Sequence, residues 1–236
     1  MKRRRTDTYF VLLALTVAMS AFALPARASI LTFDLLDNTN DQRPIPQNYG
    51  DNISSAGPDG VAGSYGVGNG FTPDVGLSYA ALHASAATPT TGLRYYNDAV
   101  WPEMAWLYTN GADDVPSQRI FEITFTPSGN DGVVVNSFDF KDYTAYETGT
   151  HTVDWSLRAG FTVLLSGSVN IAQDSTASVT TGMVSPHFGV LTLRLHHSVG
   201  ARDDIALDNV NFDQVPEPGA ISLLAGACLL GLRRRR

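Results

Sequence analysis

Apolar and polar side chains alternate along much of the middle of this chain. Leu31, Phe33 and Leu35 share one side of a short segment, and Phe121, Ile123 and Phe125 alternate with Glu122, Thr124 and Thr126. Val153, Trp155 and Leu157 alternate with Asp154, Ser156 and Arg158, as do Leu191, Leu193 and Leu195 with Thr192, Arg194 and His196. A period of two sends successive side chains to opposite faces of an extended backbone, so each segment predicts a strand with one buried face. Further strands are expected at 133–140, 161–165, 168–171 and 178–181, with a last one at 203–212. In that last segment Ile205 and Leu207 fall on one face and Val210 and Phe212 on the other. Either both faces are covered, or a bulge at Asp208-Asn209 shifts the phase.

Turn residues separate these segments. Gly129-Asn130-Asp131-Gly132 is a strong turn signal, and weaker ones stand at Ala159-Gly160 and Ser166-Gly167, the latter reading as the tip of a hairpin. Many short strands at such spacing predict an all-β fold, a single antiparallel β-sandwich. Two stretches lack the alternation. Residues 37–74 are rich in Gly, Pro, Asn and Asp, with Gly60, Gly63, Gly66, Gly68 and Gly70 close together. No apolar strand leads into these glycines and no helix follows, so a surface loop is expected rather than a phosphate cradle. The second stretch, 97–117, carries Trp101, Trp106 and Tyr108. No internal repeat interrupts the body, which reads as one domain.

The two ends are built differently. Met1-Lys2-Arg3-Arg4-Arg5 is a basic start, 10–24 is apolar, and Ala26-Arg27-Ala28 has the small residues of a cleavage site. Residues 1–28 therefore read as a signal peptide with a helical apolar part, the mature chain beginning at Ser29; an uncleaved signal anchor is the alternative. At the other end, Pro216 and Pro218 terminate the preceding fold, because proline donates no hydrogen bond and biases the residue before it toward extended backbone. Residues 219–232 carry no charge and Arg233, Arg234, Arg235 and Arg236 follow. As a helix this run reaches roughly 21 Å, short of a ~30 Å hydrocarbon core, so it is a marginal transmembrane span. The arginines can snorkel to the headgroups and favour the cytoplasmic side, which places the body outside.

This ending, Pro216-Glu217-Pro218, then the short apolar span 219–232, then the arginine cluster 233–236, resembles the PEP-CTERM sorting signal of bacterial surface and secreted proteins. The resemblance implies recognition by exosortase, a membrane transpeptidase-like enzyme acting near the motif, after export by the Sec machinery. An ordinary tail anchor is the plainer alternative. The expected organisation is a signal peptide at 1–28, a sandwich ectodomain at 29–214 and a sorting signal at 215–236. The protein is then held at the membrane before processing and lies at the cell surface or outside the cell afterwards.

Removing the ends changes the charge. The whole chain carries −7, but 29–215 keeps seven basic residues against 21 acids, which leaves −14. Such a body repels phosphate backbones, so nucleic acid is not an expected partner, whereas divalent cations are compatible with it. The single cysteine, Cys228, lies in the C-terminal apolar run, so the body has neither a disulfide nor a thiol nucleophile.

Catalytic signatures are missing: there is no G-x-S-x-G elbow, Walker loop or HExxH spacing. A paired-carboxylate glycosidase stays open, since the separation of two acids is a property of the fold; the expectation is a non-enzymatic protein. His196 and His197 are adjacent and would point to opposite faces of a strand, so they make a poor chelate. A sugar ring stacks its axial C–H groups on an aromatic face, and Trp101, Trp106, Tyr143 and Tyr146 are candidate platforms, with Asp142, Glu147 and His151 as hydrogen-bonding neighbours. Large aromatics are more often core or loop anchors than ligand platforms. The run of strands and the final Asp208-Asn209 strand resemble galactose-binding-like jelly rolls, which occur as carbohydrate-binding modules and hold a structural calcium near the first and last strands. That resemblance implies a jelly-roll-like sandwich, extracellular polysaccharide as a partner, and Asp34 and Asp208 as calcium ligands. The alternative is that Asp34 ends a strand and Asp208 caps a turn; calcium needs six to eight oxygens, and only two carboxylates are visible.

Overall fold

A computed structural model describes residues 28–35, 43–54, 63–64, 70–83, 89–91, 94–96, 104–106, 119–142, 150–199 and 205–217. In chain order the strands are β1 (Ser29–Leu31), β2 (Asp34–Leu35), β3 (Arg43–Pro44), β4 (Gly63–Ser64), β5 (Val75–His83), β6 (Pro89–Thr91), β7 (Arg94–Tyr96) and β8 (Met104–Trp106). They continue with β9 (Arg119–Pro127), β10 (Asp131–Asp142), β11 (Thr150–Ala159), β12 (Thr162–Ala172), β13 (Thr176–Thr180), β14 (Leu191–Val199) and β15 (Ile205–Pro216). All the described residues except Pro216 and Glu217 belong to one compact unit bounded by Arg27 and Val215. The signal segment, the apolar run 219–232 and the arginine cluster lie outside the described residues. Among the described residues no helix is long and apolar enough to cross a membrane.

Two antiparallel sheets make the sandwich. One runs β13-β10-β15-β8-β7-β3, with β1 also paired to β15, and the other runs β12-β11-β14-β9-β5-β6. Three of the four alternating segments fold as expected, each turning its apolar set inward to one shared core: Phe121, Ile123 and Phe125 of β9, Val153, Trp155 and Leu157 of β11, and Leu191, Leu193 and Leu195 of β14. Phe125 of one sheet meets Phe212 of the other with ring centroids 5.0 Å apart, and Trp155 meets Phe138 edge-on at 5.8 Å. Rings packed this way add to the burial of their apolar area.

Two inner strands shift phase to keep their apolar residues inside. On β15, Leu207, Val210 and Phe212 are all in the core, and Asn209 between them is left-handed (φ 49°). Of the two expectations for this strand, the bulge is therefore the one realised. On β10, Val133 and Val135 are inside and so are Phe138 and Phe140, so the alternation slips at Asn136-Ser137. There Asn136 O accepts from Thr181 N at 2.9 Å and Val135 O from Thr181 Oγ1 at 2.5 Å.

Three expectations are corrected. The hairpin at Ser166-Gly167 does not exist, because β12 runs through it unbroken and Gly167 stands opposite Trp155 of β11. A Cβ there would lie 2.8 Å from Trp155 Nε1, so this glycine makes room for an indole rather than a turn. The first strand, expected to run through 31–35, breaks after β1. Phe33 is left-handed (φ 55°), its N–H donates to Tyr49 Oη at 2.7 Å, and β2 leaves to pair with β4.

Lastly, the described part of 37–74 is not simply a surface loop, since Ile45, Tyr49 and Ile53 are at most 1% exposed. Its polar residues cover part of the β5 edge. Gln47 Nε2 donates to Tyr79 O at 2.9 Å while Gln47 Oε1 accepts from Tyr79 N at 3.0 Å, and Asp51 Oδ1 accepts from Leu77 N. Side-chain groups thus stand where a further strand would pair, one way of protecting an edge.

Candidate functional site

The polar members of the alternating strands cover the outer face of the six-stranded sheet, and the register lines them up in rungs. One rung places Ser168, Asp154, His196 and Ile120 side by side on β12, β11, β14 and β9. The next places Ser166, Ser156, Arg194 and Glu122, and the third Val163, Arg158, Thr192 and Thr124. Because partners in an antiparallel pair project to the same face, these side chains form one continuous surface. Between β11 and β12 the register slips at Leu157/Arg158, so Leu164 has no partner of its own, and Val163 and Leu164 are both exposed beside the hairpin tip at Phe161.

An open groove of about 420 Å³ crosses this face, with Asp154, Ser156, Arg158, Ser166, Arg194 and His196 among its walls. Asp154 is the acid in its walls, and Glu122 flanks it beside Arg194. Ser168 Oγ donates to Asp154 Oδ1, and Arg194 Nε lies 2.9 Å from Glu122 Oε1 in an ion pair whose N–H does not point at the oxygen. The two side chains of that pair are 27% and 21% exposed, so solvent weakens it. Thr124 Oγ1 and Thr192 Oγ1 lie 3.4 Å apart, and Thr152 Oγ1 donates to Asn170 Oδ1 at 2.8 Å further along the face. Arg158 Nε is buried and has no hydrogen-bond partner among the described residues. The groove therefore presents hydroxyls, a half-neutralised guanidinium and an open one.

A second polar cluster joins a sandwich end. Gln214 Nε2 donates to Asp131 Oδ2 at 2.7 Å and to Asp74 Oδ2 at 3.0 Å, and Asp74 N donates back to Gln214 Oε1 at 2.9 Å. Burial and the neighbouring Asp74 charge raise the Asp131 carboxyl above its usual 3.8, against the Gln214 hydrogen bond, which lowers it. Among the described residues no group of three or more His, Cys, Asp or Glu side chains is placed to hold a metal ion.

The residues singled out from sequence are scattered. Trp101, Tyr143 and Tyr146 lie outside the described residues, as do Glu147 and Pro218. The backbone of Trp106 lies in β8 opposite Ala206, but its side chain and that of Asp142 are outside the described set. His151, expected beside loop aromatics as a hydrogen-bonding neighbour, lies on the inward side of β11 at 3% exposure and is not presented to solvent. Asp34 and Asp208 stand in different sheets, Asp34 opposite Ser64 in the β2-β4 pair and Asp208 on β15. Asp208 Oδ1 accepts from Asn209 N at 2.7 Å and Oδ2 from Asn209 Nδ2 at 3.3 Å, which is turn-capping behaviour. Asp139 Oδ2 accepts from the same Asn209 Nδ2 at 2.9 Å, so a second carboxylate stands beside Asp208, while the side chain of Asp34 is outside the described set. Pro216 and Glu217 of the sorting motif are exposed at the end of β15.

Sequence reasoning did not single out Arg158, Arg194, Asp154 and His196 as one group. The available signal was that all four are polar members of the two cleanest alternating strands.

No family model matches the chain, and no curated protein sequence matches it. Among solved structures, one described as "CBM4 structure and function" is similar at 16% identity and a TM-score of 0.37, over 59% of this chain and 87% of that one. The family 32 CBM from C. perfringens NanJ in complex with galactose is similar at 14% identity and 0.30, over 58% and 93%. The apo form of a cyclase from Fischerella sp. is similar at 14% identity and 0.36, over 80% and 98%. Likenesses at these scores join binding modules with a cyclase and carry no argument about what this chain does.

Proposed function

We propose that this chain is an exported surface or extracellular-matrix protein whose sandwich binds polysaccharide across the outer face of the six-stranded sheet, without catalysing a reaction. The observation that carries the binding reading is the groove of about 420 Å³, walled by hydroxyl and guanidinium groups held in register on rigid strands. A sugar chain offers many hydroxyls and few charges, and a row of donors and acceptors on rigid strands meets it with little loss of conformational freedom. The export reading rests on the basic and apolar N-terminal segment, the Pro216-Glu217-Pro218 motif with its apolar run and arginine cluster, and the close of the compact unit at Val215. Sec export and exosortase sorting follow from that reading, with the membrane as a partner before processing.

A glycan array probed with the full-length chain in mild detergent tests the binding. Retention of at least one polysaccharide, equal with and without calcium and accompanied by no released product, is the expected result; silence under both conditions removes the carbohydrate reading. A module that binds protein rather than sugar is the second reading, favoured by Phe161, 103% exposed at the β11–β12 tip with Val163 and Leu164 behind it.

A further inference from the structure

Charge, and the lack of an open aromatic among the described groove residues, decide which polysaccharide suits the groove. Of the groove's aromatics, Trp155 is 9% exposed and stands edge-on to Phe138 in the core, so its ring face is not offered to a pyranose. A neutral sugar would find hydroxyl partners there but no apolar platform. The cations are different. Glu122, flanking the groove, faces Arg194, and Asp154 accepts from Ser168 while keeping its charge one rung from Ser156. No acid answers Arg158 among the described residues, and its cross-strand neighbours are Val163 and Thr192. A buried N–H without an acceptor is a standing cost, which a ligand relieves only if the guanidinium turns that N–H toward the groove.

We infer that the groove takes a uronic-acid-bearing polysaccharide, with the sugar carboxylate received by Arg158 and the ring hydroxyls by Ser156, Ser166 and Ser168. This rests on the carbohydrate reading above and deepens it. A carboxylate is planar with two acceptor oxygens, the shape a guanidinium fork matches with paired hydrogen bonds. The body's net charge of −14 opposes a polyanion at long range. At about 0.15 M salt, charges more than roughly 8 Å away are largely screened, so the groove's own groups dominate. Glu122 acts against the ligand by neutralising Arg194, and removing its charge frees a second guanidinium one rung away.

Binding is measured at that salt with the full-length chain in mild detergent and three probes: polygalacturonate, a neutral β-glucan and dextran sulfate. Polygalacturonate is expected to bind at least tenfold tighter than the glucan and tighter than dextran sulfate. R158Q should weaken polygalacturonate about tenfold while leaving the melting temperature near that of the parent, and E122Q should strengthen it severalfold. Unchanged polygalacturonate binding in folded R158Q overturns the inference; if R158Q does not fold, unchanged binding in E122Q does so instead. A glucan bound as tightly as polygalacturonate, or dextran sulfate bound tightest, also overturns it while leaving the carbohydrate reading standing. Failure of all three probes to bind removes both.

Discussion

On the outer face of the seven-stranded sheet, amides and carboxylates answer one another across β10 and β15, while across the sandwich β11 holds a guanidinium with no acid beside it among the described residues. Asn136 Nδ2 donates to Asn211 Oδ1 and Asp213 Oδ2, each at 2.9 Å, and Asn209 Nδ2 donates to Asp139 Oδ2 at 2.9 Å. Apart from Asp213 Oδ1, which has no partner among the described residues, these groups are spent on one another, and they pin two bulged strands together. The six-stranded face also has internal pairs, yet Arg158 stays outside them. Polar groups that satisfy each other hold a fold; groups left open are what a ligand can use. Asp139, Asp208 and Asp213 lie on the first face, whereas on the other Arg158 and Arg194 are balanced by Asp154 and Glu122.

The largest expected effect comes from breaking what both faces share. Phe212→Ala removes the ring that meets Phe125 across the core, and it should cost about 3–5 kcal/mol in denaturant unfolding. A loss below about 1 kcal/mol would show that the two sheets do not depend on a common core.

A middle-sized effect should separate the faces. Gly167→Ala drives a methyl group to within 2.8 Å of Trp155 Nε1, so the indole or β12 must shift. The expected cost is about 1–3 kcal/mol, together with weaker polysaccharide binding, while the Asn136 and Asn209 bonds on the far sheet persist. Thermal melts and amide exchange on the two sheets check this; equal loss of protection on both would erase the distinction.

The smallest effect concerns pH. The Asp131 carboxyl is raised above 3.8 by burial and Asp74, so the folded state holds that proton more tightly than the unfolded one. Its contribution to stability is full below 3.8 and is lost as pH rises through the raised folded value. Asp131→Asn should therefore be more stable relative to the parent at pH 7 than at pH 3, by well under about 1 kcal/mol because solvent screens the pair. The opposite ordering of melting temperatures would mean that the Gln214 hydrogen bond outweighs burial and repulsion.

Much of the fold was legible in the alternation. β9, β11 and β14 lie where the period of two places them, because a pleated backbone with one buried face leaves few other patterns. β5 escaped notice although Val75, Leu77, Tyr79 and Ala81 alternate and are all buried, since it directly follows a glycine-rich stretch that read as loop to its end. β3, β4, β7 and β8 are two or three residues long, too short to show a period, and exist only through their partners. Gly167 misled because one residue type marks both a turn and a close approach. His151 misled because a polar side chain was read as outward, whereas its place in β11 turns it in with Val153.

Taken alone, the sequence determined the fold class, the inward and outward sides of the main strands, and two tails unlike the body they flank. Those follow from covalent geometry and from composition, which any stretch of chain carries with it. Which strand lies beside which, and in what register, was decided by the tertiary structure. Arg158, Ser156, Arg194 and Ser166 meet only because β11 pairs with β12 on one side and β14 on the other. A slip of one residue would turn every one of them to the opposite face, and burial of the apolar set is what forbids that slip.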